Sequence, residues 1–179
     1  MKKYMTFVCG LAPALSLGVV SAASPHRDQS LTLDFAVAPG MPIIKHESLQ
    51  RYFTYSFKKG EMRDDVLAVI NLSKTQPLTV TLHVSDATVS PTAGPVFSDA
   101  GPQHQMGQWI TLSQTKVIVA PYHVQLVPMA VRIPSSVAAG AYEGSITATS
   151  DQTTVITSGR FHSTIRGARR CLVYIRLTS

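Results

Sequence analysis

Cysteine is almost missing from this chain of 179 residues: Cys9 and Cys171 are the whole supply. Cys9 falls in an apolar leader, so once that leader is removed no internal disulfide is possible and the fold must rest on a buried core. A domain near this size supplies one, burying about 70% of the surface its unfolded chain exposes. Charged residues are sparse at 15%, and the acidic ones stop at Asp151, so the last stretch carries positive charge only. No apolar run reaches the about 20 residues that span a bilayer; residues 7–20 are too short and are broken by Gly, Pro and Ser. No transmembrane anchor is therefore expected.

The marks of catalysis are also missing. There is no Gly-x-Ser-x-Gly elbow and no phosphate-cradling glycine loop. His46-Glu47-Ser48-Leu49-Gln50 begins like a zinc-protease motif, but Gln50 stands where the second histidine belongs. His26, His83, His104, His123 and His162 lack metal-ligand spacing, and one cysteine makes no structural zinc site. Asp64 and Asp65 are adjacent; on a strand they face opposite ways and share no substrate, and a solvated turn is the expected setting. Asn71-Leu72-Ser73 matches a glycosylation acceptor, but at a strand end. The reading is a non-enzyme with no catalytic residue, no metal and no cofactor.

What is present begins with an export signal. Lys2 and Lys3 precede the apolar segment, and Val20-Ser21-Ala22 or Ser21-Ala22-Ala23 offers small residues for cleavage. Residues 1–23 are expected to be a signal peptide and residues 24–30 a flexible lead-in. The product is then extracellular, cell-wall associated or periplasmic, with a mature start at Ala23 or Ser24. Net charge is +6, part of it on Lys2 and Lys3. Arg160, Arg166, Arg169, Arg170 and Arg176 all follow Asp151. Such an end could meet anionic lipid or an acidic wall polymer, nucleic acid being excluded by export; alternatively the arginines simply alternate with core residues and point into solvent.

Between Tyr52 and Ser179 short strands alternate with Pro, Gly and Asp turns, and no helical stretch interrupts them. Residues 31–37 alternate Leu31, Leu33, Phe35 and Val37 against polar or small neighbours. In residues 52–57, Phe53, Tyr55 and Phe57 share one face and Tyr52 takes the other. Residues 66–72 are continuously apolar, as in a central strand covered on both sides. Residues 79–84 put Val80, Leu82 and Val84 opposite Thr79, Thr81 and His83. Residues 91–107 read as an irregular connection with a strand fragment at Val96-Phe97. Further strands are expected at 109–112, 116–120, 123–127, 141–150, 153–157 and 172–177. Pro128 is expected to demote its stretch to an edge or a bulge, and Asp151-Gln152 to form a tight turn. Trp109 is read as a core residue opening a strand, an exposed sugar-stacking indole being the alternative. Cys171, followed by Leu172-Val173, is read as buried. Eight to ten strands at this spacing predict an all-β, immunoglobulin-like two-sheet β-sandwich, one domain over residues 31–179.

The order of these elements resembles a known family. Tyr52-Phe53, Lys58-Lys59-Gly60, Asp65 through Leu72, Leu78-Thr79-Val80, a small-residue turn at Asp86-Ala87 and Gly94-Pro95-Val96-Phe97 come first. Gln108 through Leu112, Val119-Ala120-Pro121, Val131-Arg132-Ile133-Pro134, Gly140-Ala141-Tyr142-Glu143-Gly144 and Arg166 through Leu177 follow. Together they resemble the peptidoglycan-binding domain of WxL-interacting proteins. The resemblance implies a wall-binding or adhesion module whose partners are peptidoglycan or another wall polymer and a Trp-x-Leu wall protein. It also places Arg166, Arg169 and Arg170 in a candidate basic patch. The second sandwich domain and the C-terminal membrane helix common in that family have no counterpart in the sequence. The alternative reading is a periplasmic chaperone-like assembly protein that binds a partner subunit by edge-strand pairing. It requires a long alternating hydrophobic edge strand and a basic cleft that grips a partner's C-terminal carboxylate, whereas a wall module requires a polar glycan-facing surface.

Overall fold

The computed structural model describes residues 34–48, 50–90, 92, 94–97, 103–158 and 160–178. The expected signal peptide and the lead-in lie outside the described residues. The elements are β1 (Phe35–Pro39), α1 (Met41–Ile44), β2 (Tyr52–Lys58), β3 (Met62–Asn71), β4 (Leu78–Ser90), β5 (Gly94–Phe97), α2 (Met106–Trp109), β6 (Ile110–Leu112), β7 (Lys116–Val119), β8 (Val124–Arg132), β9 (Gly140–Ser158) and β10 (Phe161–Thr178). One sheet has the order β1-β3-β8-β6; the other has β2-β10-β9-β4-β5, with β7 also paired to β4. The result is an immunoglobulin-like β-sandwich.

Period-two alternation sets which side chains fill the space between the sheets. In β2 the burial alternates without a break, so Phe53, Tyr55 and Phe57 are buried and Tyr52 is half exposed on the other face. β3 lies between β1 and β8, and its run Leu67-Ala68-Val69 is wholly buried. Val80 and Leu82 of β4, Val127, Met129 and Val131 of β8, Ile146 and Ala148 of β9, and Val173 and Ile175 of β10 belong to the same core.

The first two strands belong to different sheets. β1 pairs antiparallel with β3, the chain crosses over through Gly40 and α1, and β2 then pairs parallel with the end of β10. Gly40 is required at the crossing. Its N–H donates to Val66 O at 2.7 Å, and a Cβ there would lie 2.9 Å from Val66 Cγ1.

Several local expectations are corrected. Pro128 is neither at a sheet edge nor in a bulge, for β8 lies between β3 and β6. The proline is tolerated because its carbonyl, and hence its donor-less nitrogen, faces the β6 side, where pairing ends at Leu112↔Met129 and Ser113 N–H closes onto Pro128 O at 2.9 Å. Trp109 ends the single-turn helix α2 rather than opening a strand. It is buried, packed edge-on against Tyr142 with ring centroids 4.9 Å apart, so it offers no stacking platform. Asp64 and Asp65 lie within β3, not in a turn. Asp65 accepts the Tyr55 hydroxyl proton at 2.7 Å, and burial, followed by Asp65, holds that phenol well above the usual tyrosine range.

Cys171 is fully buried, as its strand neighbours suggest. Burial pushes its thiol up to about 12. Native labelling by iodoacetamide at pH 8 is expected to be at least about a hundredfold slower than in denaturant, because the thiolate is the reactive form. Comparable rates in the two states would show that the β2–β10 seam opens readily. The sign of the pH effect follows. The folded state keeps a proton that the unfolded chain releases near its ordinary 9.0, so stability falls as pH rises from there toward about 12.

Candidate interaction surface

The longest strands, β9 and β10, outrun their neighbours. β4 pairs with β9 only along Gly144 to Ser150, and β2 pairs with β10 only from Leu172 onward. Beyond those limits the two strands pair with each other alone, in register from Arg166↔Thr153 to Phe161↔Ser158. The ribbon turns at Arg160. Among the described residues no strand is paired with the other edge of β10 between Ser163 and Ala168, whose main-chain groups on that side face no ladder partner.

The expected tight turn at Asp151-Gln152 is instead the waist of this ribbon. Register passes from Ala168↔Thr149 to Arg166↔Thr153, leaving Ser150, Asp151 and Gln152 opposite Gly167. Turn-forming residues here make a bulge inside one strand, which bends and twists the ribbon as it leaves the sandwich. The bulge is tied down on the β4 side. Gln152 Nε2 donates to Pro77 O at 2.9 Å, the Thr81 hydroxyl donates to Asp151 at 3.2 Å, and Lys116 Nζ lies 3.1 Å from the same carboxylate. Lys116 holds the exposed Asp151 carboxyl below the ordinary carboxylate range.

The three arginines singled out from the sequence do not share one face. Arg169 and Arg170 are successive strand residues and point oppositely. Arg169 Nε donates to Phe35 O at 3.1 Å, fastening the ribbon's base to β1. Arg170 Nε donates to Thr147 Oγ1 at 3.1 Å on the outer face, with its guanidinium 5.1 Å from the centre of the Phe97 ring. Arg166 lies past the bulge, exposed, within the electrostatic reach of Asp151. Beneath Arg170 the outer face is unexpectedly buried: Ser85 and Ser145 are fully covered, their hydroxyls 3.0 Å apart, and Thr147 is nearly so.

The alternation on both sides of Asp151 and Gln152, with no Gly or Pro between, is the sequence signal that would have revealed one continuous strand. Among the described residues no group of three or more His, Cys, Asp and Glu side chains is placed to hold a metal, and no helix is long and apolar enough to cross a membrane.

No protein-family model matches the chain, and no curated protein matches it. Among solved structures it is similar to a family 123 glycoside hydrolase from Clostridium perfringens, at 12% identity and TM-score 0.45, over 78% of this chain and 27% of that one. It is similar to PapD-like domain 7 of human CEP192, at 12% identity and TM-score 0.45, over 93% of this chain and 99% of that one. A third is a chain of the chaperone–tip adhesin complex of CFA/I fimbriae biogenesis, at 11% identity and TM-score 0.49, over 82% of this chain and 58% of that one. The chain thus spans about a quarter of the hydrolase and somewhat over half of the fimbrial protein. At these identities the likeness is one of fold.

Proposed function

We propose that the chain is an exported, non-enzymatic assembly module that holds an extended segment of a partner polypeptide against the outer edge of β10. The observation that carries this reading is the edge of β10 between Ser163 and Ala168, with which no strand is paired among the described residues. Such an edge is a ready template for an added strand, with main-chain hydrogen bonds giving affinity and alternate side chains giving selectivity. At about 3.3 Å per residue it offers roughly 20 Å, enough for a partner segment of about six residues. Export rests on the leader read from the sequence. The wall-binding reading draws no support from the basic patch, because Arg169 and Arg170 are turned to opposite faces and both are engaged within the fold.

A shortened hairpin tests the proposal. Thr153 and Arg166 are register partners, so residues 154–165 can be replaced by Asn-Gly, closing the ribbon where it leaves the sandwich. Photo-crosslinkers placed at Thr164, and at the exposed Ile118 of β7 as a control, are read out in exporting cells. The expected result is a protein adduct at Thr164 but not at Ile118, with partner capture at least about tenfold lower for the shortened hairpin and an unchanged melting profile. Absence of adducts, together with sedimentation on purified peptidoglycan that survives the shortening, overturns the proposal in favour of wall binding.

A further inference from the structure

The tip of the ribbon carries a combination that strand pairing does not use. Phe161 is 82% exposed and Val155 is 58% exposed, the former the most exposed large hydrophobic side chain among the described residues. Phe161, paired with Ser158, and Val155, paired with Thr164, lie on opposite faces of the ribbon; Arg160 adjoins Phe161 in the turn and Arg166 lies on the Val155 face, both exposed. No acidic residue occurs after Asp151, and Asp151 is itself held by Lys116 and Thr81 at the waist. The tip stands on the order of 25 Å of strand beyond Ser150, the last residue that β4 braces.

We propose that this tip is a reversible contact site for an anionic lipid surface. Entering end-on, the Phe161 ring at the tip would reach the boundary between headgroups and acyl chains while the guanidinium groups remain among the lipid phosphates. Backbone cost does not forbid it. A hairpin tip at the headgroup level stays in contact with water, so its open edges meet none of the penalty they would face in the hydrocarbon core. The charge chooses the surface, since a purely cationic, aromatic-bearing tip is complementary to anionic lipid rather than to a neutral one. The length of the ribbon lets the tip touch lipid while the sandwich remains in solvent. This contact is independent of whether a partner strand joins β10, and it is tested without one.

The experiment uses the protein in the form the cell exports, with vesicles of phosphatidylglycerol or of phosphatidylcholine alone. In Phe161→Trp an indole replaces the tip ring, while the buried Trp109 supplies a constant background. With phosphatidylglycerol vesicles the emission of this variant is expected to shift to shorter wavelength and to be quenched by bromine atoms on the acyl chains. Phosphatidylcholine should leave it unchanged. Phe161→Ser should weaken partitioning roughly tenfold to a hundredfold. Loss of Arg160 and Arg166 should weaken it about fivefold for each charge, and Arg160→Glu with Arg166→Glu by more. All three positions are exposed, so the variants are expected to melt like the parent. An unshifted emission from the Phe161→Trp variant overturns the proposal. So does equal binding to soluble polyglutamate that Phe161→Ser leaves intact, which would assign the arginines to a dissolved polyanion.

Discussion

Asn71→Ala is expected to lower stability by about 3 to 5 kcal/mol, a loss far out of proportion to the size of the side chain. The residue ends β3 and is almost fully buried. Its Nδ2 donates to Gln76 O, Val119 O and Ala120 O at 2.9, 3.1 and 3.2 Å, and its Oδ1 accepts Ser73 N–H at 3.0 Å. One amide therefore closes the β3–β4 connection and ties it to the end of β7. Removing it strands carbonyl oxygens that water reaches poorly, and a buried polar group left unpaired costs about 1 to 3 kcal/mol. Asn71→Asp is expected to be at least as damaging at pH 7, because a carboxylate would face three carbonyl oxygens. Urea unfolding measures both. A change below about 1 kcal/mol in each would mean that solvent replaces the amide. The same burial explains why the Asn71-Leu72-Ser73 motif cannot accept a glycan in the folded state.

Gly144→Val should be the most damaging single change at the other end of β9. Gly144 faces Asp86 across the sheet, directly under α2. A Cβ at this position would lie 2.5 Å from both Cβ and Cγ of Met106 and 2.8 Å from Ser85 O, closer than side chains ever pack. Met106 is fully buried and α2 has no freedom to retreat. Asp86 accepts the backbone N–H groups of His104, Gln105 and Gly107 at 2.6, 3.0 and 2.9 Å, pinning the segment in place. Overpacking typically costs about 1 to 3 kcal/mol, and valine adds two methyl groups to the clash, so about 3 kcal/mol or more is expected. Trp109 closes α2, so its emission should move to longer wavelength as the turn is displaced. Met106→Ala removes Cγ but not Cβ, and only partial rescue is expected. Full stability of Gly144→Val with unaltered Trp109 emission would refute this account of the packing.

The fold was legible in the sequence where burial alone decides a side chain's direction. Phe53, Tyr55 and Phe57 against Tyr52, and Val80 and Leu82 against Thr81 and His83, are local alternations that only a strand with one covered face explains. They needed no knowledge of the partner strand, and Cys171 was legible in the same way. What was not legible depends on pairing. Asp151-Gln152 has turn chemistry, yet two bracing strands convert it into a bulge within β9. Pro128 has edge chemistry, yet it sits inside a sheet because its missing donor meets the end of the shortest neighbour. Trp109 belongs to a single helical turn held by a distant carboxylate, Asp86. The arginine-rich end read as a patch because sequence proximity is not spatial proximity on a strand, where neighbours oppose. The candidate edge was hidden for the opposite reason: it is defined by strands that stop, and nothing in β10 itself records where β2 and β4 end.

The parallel seam between β2 and the last part of β10 has a mechanical side. The seven residues of β2 run in the same direction as Leu172–Thr178, so the start of one strand and the finish of the other lie at opposite ends of the seam. Tension applied between the segment before β2 and the segment after β10 therefore runs along the strands and loads the whole ladder together in shear. It does not peel the bonds apart singly, as it would in a hairpin pulled at its open end.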